Sequence, residues 1–119
     1  MIETVILNYL AERLPNVPVL MELPEVPSDD YPEFPFPLIV IQKVGHTRSN
    51  HVNHASIAFQ SYADTLYNAA QLDETVRGLI DQIVELPEIG GVYLASDYEF
   101  TDTRTKRYRY QCIYEFYYV

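Results

Sequence analysis

The sequence is poor in cysteine and in basic residues, and it has no long apolar run. Cys112 is the only cysteine among 119 residues, which excludes a disulfide framework within the chain, and its alternating surroundings favour a packed thiol over a nucleophile. Eight Lys and Arg stand against 17 Asp and Glu, so general nucleic-acid binding, which needs a basic surface, is not expected. No apolar run approaches the roughly 20 residues that span a membrane as a helix.

Motifs of catalysis and of metal or cofactor binding are also missing. The four glycines form no phosphate-binding loop, and no serine lies in a nucleophile elbow. His51 and His54 lie on a loop-to-strand segment, where they lack the helical placement and the further ligands of a metal pair, so we expect surface or turn histidines. The sequence therefore predicts no enzyme, no metal site and no cofactor.

The residues that are present are typical of a folded domain. Hydrophobic residues make up 48% of the chain, and its length suffices for one core but not for two, so we expect a single domain over residues 1–119. The N-terminal stretch MIETVILNYL has a glutamate where a secretory signal has basic residues. We therefore expect synthesis in the cytoplasm.

The N-terminal third reads as a helix followed by a proline-rich segment. Apolar residues at helical spacing predict a helix over 2–14, which Pro15 ends. Seven of the eight prolines lie within 15–37. This density leaves room for one short strand at 19–22 and predicts an extended acidic loop at 23–36.

The middle of the chain reads as two strands that lead into a helix. The β-branched run 37–44 predicts a strand, and the polar residues 45–53 predict a turn region. A strand over 54–60 then passes into a helix with almost no loop. Ser61 and Asp64 have the spacing of a capping box at the start of that helix.

The helix after this strand is predicted to be the core helix and to end at Pro87. Gly90 and Gly91 are expected to turn the chain into a strand at 92–100, which a hairpin connection at 101–106 joins to the last strand. The predicted core-facing side chains of the helix are Leu66, Ala69, Val76, Ile80 and Ile83.

The last strand, 107–118, concentrates aromatic side chains on one face, because side chains alternate along a strand. A helix-covered sheet face explains this pattern, and so does an aromatic strand that also contacts another subunit. A platform for nucleic-acid bases would need a positive groove, which the acidic composition disfavours. The side chains of this face are Tyr108, Tyr110, Cys112, Tyr114, Phe116 and Tyr118.

The charges are unevenly distributed along the chain. Residues 1–36 carry seven acidic side chains against Arg13, whereas four of the eight basic residues lie within 104–109. Ordinary surface solvation accounts for this asymmetry. So does self-complementarity, in which the basic hairpin of one subunit meets an acidic patch on its neighbour.

Together the elements predict an α+β fold. We expect a mixed, mostly antiparallel sheet of about five strands with both helices packed on it. The passage from 54–60 through the long helix to 92–100 allows these two strands to run in parallel through a right-handed crossover.

Four stretches carry a family resemblance. They are the N-terminal helix with its proline segment, the strand FPFPLIVIQKVG, the strand-to-helix block ASIAFQSYADTLYNAAQLDETVRGLI and the closing hairpin YEFTDTRTKRYRYQCIYEFYYV. In this order they resemble the tail terminator (tail completion) proteins of long-tailed phages and prophages. The resemblance spans nearly the whole chain.

The resemblance implies a non-enzymatic virion protein of the tail or neck, assembled in the host cytoplasm. It implies a hexameric ring that caps the tail tube, ends tube polymerisation and provides the head-to-tail joining surface. The implied partners are further copies of the chain, the major tail tube protein and a head-side connector protein, with no membrane and no cofactor. DNA would pass through the lumen without specific binding, and the net charge of −9 fits a lumen that repels phosphates.

The acidic loop 23–36 and the turn 45–53 are candidates for contacts with neighbouring rings, as projecting segments without a core role. Two other interpretations stay open. One is another neck protein, such as a head-closure or adaptor component, and the other is a cellular α+β binding module or a small enzyme. The candidate subunit or ring contacts are Arg104, Lys106, Arg107, Asp29, Asp30, Glu33 and Arg48.

Overall fold

The computed structural model describes residues 1–27, 29, 32–103 and 107–119 and contains a five-stranded sheet with two α-helices. The elements in chain order are α1 (Ile2–Arg13), β1 (Val19–Leu20), β2 (Leu38–Ser49), β3 (Val52–Ala63), α2 (Leu66–Asp81), a short 3-10 helix (Ile83–Glu85), β4 (Ile89–Glu99) and β5 (Tyr108–Tyr118). The strand order is β1-β2-β3-β5-β4. β1 pairs with β2 in parallel and the other pairs are antiparallel, which confirms the predicted α+β fold.

Both helices pack on one face of the sheet and form a common core with it. The alternation of β3 places Ile57 and Phe59 on this face, and β5 contributes Tyr114 and Phe116 beside them. Each fully buried apolar side chain of this kind contributes about 1.5–3 kcal/mol. The helices also bond directly, since the Tyr9 hydroxyl donates to the carbonyl of Leu79 at 2.7 Å. Neither α1 nor α2 has the length and hydropathy of a membrane span.

A second, smaller cluster lies on the opposite face at the β1 end of the sheet. Leu38, Val40 and Tyr62 are buried there, and Leu23 and Phe34 of the acidic loop pack against them. The described part of the loop 23–36 therefore covers its own sheet. The expectation that this loop projects without a core role is wrong, because its apolar side chains need a buried surface.

The predicted turn region 45–53 is wrong. β2 continues to Ser49 and β3 begins at Val52, so Asn50 and His51 alone connect them, with φ angles of 51° and 65°. Two positive φ values are typical of the tight turns that suit the twist of a hairpin. The backbone ladder holds this strand pair together although its side chains are polar, which is why the polar sequence was misleading.

The predicted capping box is also displaced. Ser61 is fully buried within β3, opposite Tyr110. Thr65 is the N-cap of α2, and its hydroxyl accepts a hydrogen bond from the Asn68 amide at 3.1 Å. The strand runs three residues further than its apolar pattern, so the helix starts later.

The predicted core face of this helix is confirmed except at Leu66, but α2 ends at Asp81 and not at Pro87 as predicted. Ala69, Val76 and Ile80 are buried, and Ile83 is buried in the 3-10 helix that follows the α-helix. Leu66 is 39% exposed, because the first residue of the helix lies beyond the edge of the core. The buried stripe instead includes Asp73, which is 1% exposed.

β4 also starts earlier than predicted. Gly90 and Gly91 lie within the strand, at a shift in the pairing register with β5, and a Cβ at Gly90 would sit 3.4 Å from the carbonyl of Tyr117. β3 and β4 run in the same direction, as the predicted crossover allows. However, β5 lies between them and is antiparallel to both.

Candidate functional site

The face of the sheet turned away from α1 and α2 is called the open face here. Alternate side chains of β3, β5 and β4 form its rows, for example Ser56, Glu115 and Tyr93 in one row. Loop residues Leu23 and Phe34 cover this face near Tyr62. No helix of the described residues packs on it. The open face is therefore the largest sheet surface in the described structure that another molecule can reach.

One end of the open face carries an aromatic and carboxylate cluster. The His54 ring stacks on Tyr117 at 4.7 Å between centroids and an angle of 11°. Tyr93 meets Tyr117 edge-on at 5.8 Å. The Glu115 carboxylate accepts from Ser56 Oγ at 2.5 Å and lies 2.7 Å from His54 Nε2. Tyrosine-rich surfaces with satisfied polar groups are typical of interface centres.

Serine, histidine and a carboxylate meet in this cluster, but not in the order of a nucleophilic relay. In such a relay the histidine takes the serine proton and the carboxylate holds the far side of the imidazole. Here the Ser56 hydroxyl and His54 Nε2 both contact the same oxygen of Glu115, and His54 Nδ1 lies 3.4 Å from Thr47 Oγ1. The arrangement orders the surface and does not activate Ser56.

The other half of the open face is held by amide and guanidinium contacts. Gln60 Nε2 donates to Gln111 Oε1 at 2.8 Å, and Gln111 in turn donates to the Tyr98 hydroxyl. Arg109 donates to the Tyr62 hydroxyl at 2.6 Å and its guanidinium lies 4.1 Å from the centre of the Phe100 ring. These contacts preorganise the side chains, so little rotamer freedom is left to lose on association.

Both edges of the sheet are open over most of their length. β4 pairs with β5 on one side and has no strand of the described residues on the other. β2 pairs with β1 at Ile39 and Val40 alone within the described chain. Unpaired edge backbone is a ready template for another strand. Apolar side chains are also exposed along both edges, with Val44 at 54% and Leu94 at 46%.

A buried carboxyl cluster lies behind β4 on the helix side. Arg77 Nε is 3.1 Å from Asp73 Oδ2 and 3.3 Å from Asp97 Oδ2. Asp73 Oδ1 is buried and has no hydrogen-bond partner among the described residues. Burial raises the pKa of Asp73 to about 7, together with a hydrogen bond to Asp97 and the negative charge of Asp97, against the opposing effect of Arg77. A protonated Asp73 can then donate a hydrogen bond to the Asp97 carboxylate.

The same cluster offers ligand atoms to a metal, but its charge favours a shared proton. One ligand atom each of Asp73, Asp97 and Cys112 lie within 4.8 Å of one another. The Arg77 guanidinium already supplies a positive charge to both carboxylates, and burial raises the pKa of the Cys112 thiol well above its usual range. A thiolate ligand would therefore be costly to form.

Surface cavities are shallow. One of about 240 Å³ lies between α1 and the segment before β4 and is lined by Tyr9, Arg13 and Glu88 among others. Among its polar groups, Arg13 already pairs with Glu85 at 3.0 Å and lies over the Tyr9 ring at 3.7 Å. This cavity offers no arrangement of acid, base and nucleophile.

The predicted contact residues fall into different places. Arg48 lies on β2, near the end of its open edge, rather than in a turn. The backbone of Arg107 forms an isolated antiparallel β-bridge with that of Asp102. The Arg107 guanidinium lies 4.4 Å from the centre of the Phe34 ring. The exposed loop residues Asp29 and Glu33 both precede Phe34 in the chain. The remaining candidates, Asp30, Arg104 and Lys106, lie outside the described residues.

The Arg107–Phe34 contact joins the basic hairpin to the acidic loop of the same chain. Because this contact is made to an aromatic ring and not to a carboxylate, the self-complementarity of charge between subunits stays a prediction.

Two features were missed from the sequence. Asp73 stands four residues after Ala69 and three before Val76, which places it on the buried stripe of α2, with Arg77 one turn further on. That spacing was the available signal for a buried ion pair. The open edge of β2 had no such signal, because the polar residues that form it were read as a turn.

No family model matches the chain, and no curated protein matches its sequence. Its function must therefore be inferred from its geometry and its charge, together with the family expectation drawn from its sequence pattern.

Proposed function

We propose that the chain is a structural virion protein that assembles with copies of itself into a ring, caps a phage tail tube and ends tube polymerisation. The ring would also present the joining surface for a head-side connector. The observation that carries the proposal is the pair of open edges, β4 on one side of the sheet and β2 beyond Val40 on the other. Two different edges favour head-to-tail contacts between copies, and such contacts generate rings when the rotation closes.

The open face and the charge support the same proposal. The Tyr93–Tyr117–His54 cluster is a preordered aromatic surface, and tyrosine is enriched where proteins meet. The net charge of −9 suits a ring through which DNA slides, because carboxylates repel phosphates and limit sticking. The resemblance of the sequence to tail terminators supplies the specific partner, the major tail tube protein.

Light scattering on the purified chain, alone and mixed with the major tail tube protein, tests the proposal. The expected result is a hexamer, or a monomer that assembles on tubes and holds them at a fixed length in electron micrographs. A stable monomer that leaves tube length unchanged would contradict it. Binding to a head-side ring instead of to tubes would identify another neck protein.

A further inference from the structure

We propose that the open segment of β2, residues 42–49, pairs with β4 of a second copy of this chain, edge to edge and head to tail. This inference rests on the proposed function in one respect, since it specifies which surfaces meet when the chain assembles with itself. The occupant of each edge is therefore the opposite edge of an identical subunit.

The two open edges occupy the same rows of the sheet. Across the paired strands, Arg48 shares a row with Ile89, and Ile41 shares a row with Asp97. Within the described chain, β1 pairs only with Ile39 and Val40 of β2, which precede residues 42–49. In what we call the level register, β2 of one copy faces β4 of the next so that residues of the same row lie opposite each other. A second copy docked in this register meets unpaired backbone along residues 42–49 without displacing β1.

The strand directions also suit this pairing. β2, β3, β5 and β4 alternate in direction, so β4 runs opposite to β2. Copies placed side by side in the same orientation thus bring β2 and β4 together in the antiparallel arrangement, which is the more stable ladder. Repetition of this contact by rotation about an axis along the strands closes a ring.

Charges on the two edges are complementary. Residues 42–49 include Lys43 and Arg48 but no acidic residue, whereas residues 88–99 include Glu88, Asp97 and Glu99 but no basic residue. Pairing of two identical edges would place like charges together, which is unfavourable. Lys43 already lies 3.7 Å from Glu3 and Asp97 3.3 Å from Arg77, so Arg48 and Glu88 form the pair with the clearest test.

Irregularities in both strands help to specify the register. The pairing of β2 shifts between Lys43 and Gly45, and that of β4 shifts between Leu94 and Ser96, next to the same row. A slip of one residue would exchange the faces of the incoming strand. The level register keeps the helix side of one copy continuous with that of the next.

Cysteine cross-linking tests the pairing directly. Gln42 and Ser96 share a row and both point to the open face, so a double variant with Gln42→Cys and Ser96→Cys should form intermolecular disulfides under mild oxidation. Two further double variants combine Gln42→Cys with Tyr93→Cys or with Tyr98→Cys. They test pairing registers that are shifted by about two residues in either direction along β4. The wild type is the control, because its Cys112 is fully buried.

The expected result is a ladder of cross-linked species in one of these double variants, with neither single variant cross-linking, in the free protein or in the presence of tail tubes. Cross-linking of Ser96→Cys or Gln42→Cys alone would reveal pairing of identical edges and overturn the inference. Assembly without a cross-link in any double variant would overturn the edge pairing but leave the proposed function standing. Failure to assemble under either condition would overturn both, and a ladder without any effect on tube length would remove the tail function alone.

Charge reversal gives an independent readout of the same contact. Arg48→Glu and Glu88→Arg should each weaken self-association about two- to five-fold, and the double variant should regain most of the loss. Glu74→Arg, an exposed site on α2, makes the same change of charge as Glu88→Arg and should have no effect. If the losses of the two single variants add up in the double variant, Arg48 and Glu88 do not interact across the interface, and the level register is excluded.

Discussion

Asp73 of α2 and Asp97 of β4 share one guanidinium nitrogen, Arg77 Nε, at 3.1 and 3.3 Å. Asp73 is 1% exposed, whereas the side chain of Asp97 is 26% exposed. One cation thus serves two carboxylates of unequal burial, and burial raises the pKa of Asp73, the buried member. The contact also ties the helix to the edge strand that we propose as an assembly surface.

The first prediction concerns the pH dependence of stability. The pKa of Asp73 is raised to about 7 in the fold, against about 3.9 in an unfolded chain. Its contribution is therefore fully present below about pH 4 and is lost as the pH rises through 7. We expect the stability of the wild type relative to Asp73→Asn to fall by on the order of 2–4 kcal/mol between pH 4 and pH 8, measured by urea unfolding at each pH.

Glu74→Gln is the matched control for this experiment, because it removes a carboxylate from an exposed position next in sequence. Its stability should follow that of the wild type at every pH. If Asp73→Asn and the wild type gave parallel curves, Asp73 would be ionised in the fold across the range, and the shared proton would be excluded.

Apolar periodicity predicted the parts of the fold that have a buried face. α1, β3, β5 and the middle of α2 each carry a stripe against the common core, and burial enforces the period of the element. The same reasoning failed for β2 beyond Val44 and for Gly90, where the strands form sheet edges. There the backbone hydrogen bonds maintain the strand while many side chains face water. The sequence therefore shows no alternation of apolar and polar residues from which the strand could be predicted.

The candidate site was less predictable than the fold. The aromatic face predicted for β5 lies under the helices, where Tyr114 and Phe116 are buried, whereas Tyr117 and Glu115 of the open-face cluster belong to the opposite face. His54, Ser56 and Glu115 come from two strands, and only the register brings them together. Asp73 and Asp97 are likewise 24 residues apart and meet through Arg77. Such contacts depend on tertiary pairing, which a single sequence encodes only indirectly.

The second prediction tests the core face of α2. Ile80 is fully buried, so Ile80→Asp should cost more than about 4 kcal/mol, which is most of the stability of a small domain. Leu66→Asp should change stability by less than about 1 kcal/mol, since Leu66 is 39% exposed and an acidic residue suits a helix N-terminus. Circular dichroism and urea unfolding of both variants measure the contrast, and a folded, soluble Ile80→Asp would refute the assignment of this face.

The third prediction separates the true cap of α2 from the apparent one. Thr65→Ala removes the acceptor for the Asn68 amide and should destabilise the fold by about 1 kcal/mol. Ser61→Ala should be neutral or stabilising, because the Ser61 hydroxyl is buried and has no partner among the described residues. Chemical denaturation of the two variants gives opposite signs if Thr65 is the cap, and a larger loss for Ser61→Ala would reverse the assignment.

The last prediction concerns the hairpin between the edge segment of β2 and β3. His51 has a φ of 65°, which a residue with a side chain adopts at a cost, whereas glycine adopts it freely. His51→Gly should therefore stabilise the protein by about 0.5–1 kcal/mol, while His51→Val should destabilise it. His46→Gly is the matched control, because His46 lies within β2 and its ring bonds Asn53 at 3.0 Å; the same change there should cost about 0.5–1 kcal/mol. Urea unfolding of the three variants decides the matter, and a loss of stability for both glycine variants would mean that Asn50 and His51 do not form the two-residue turn.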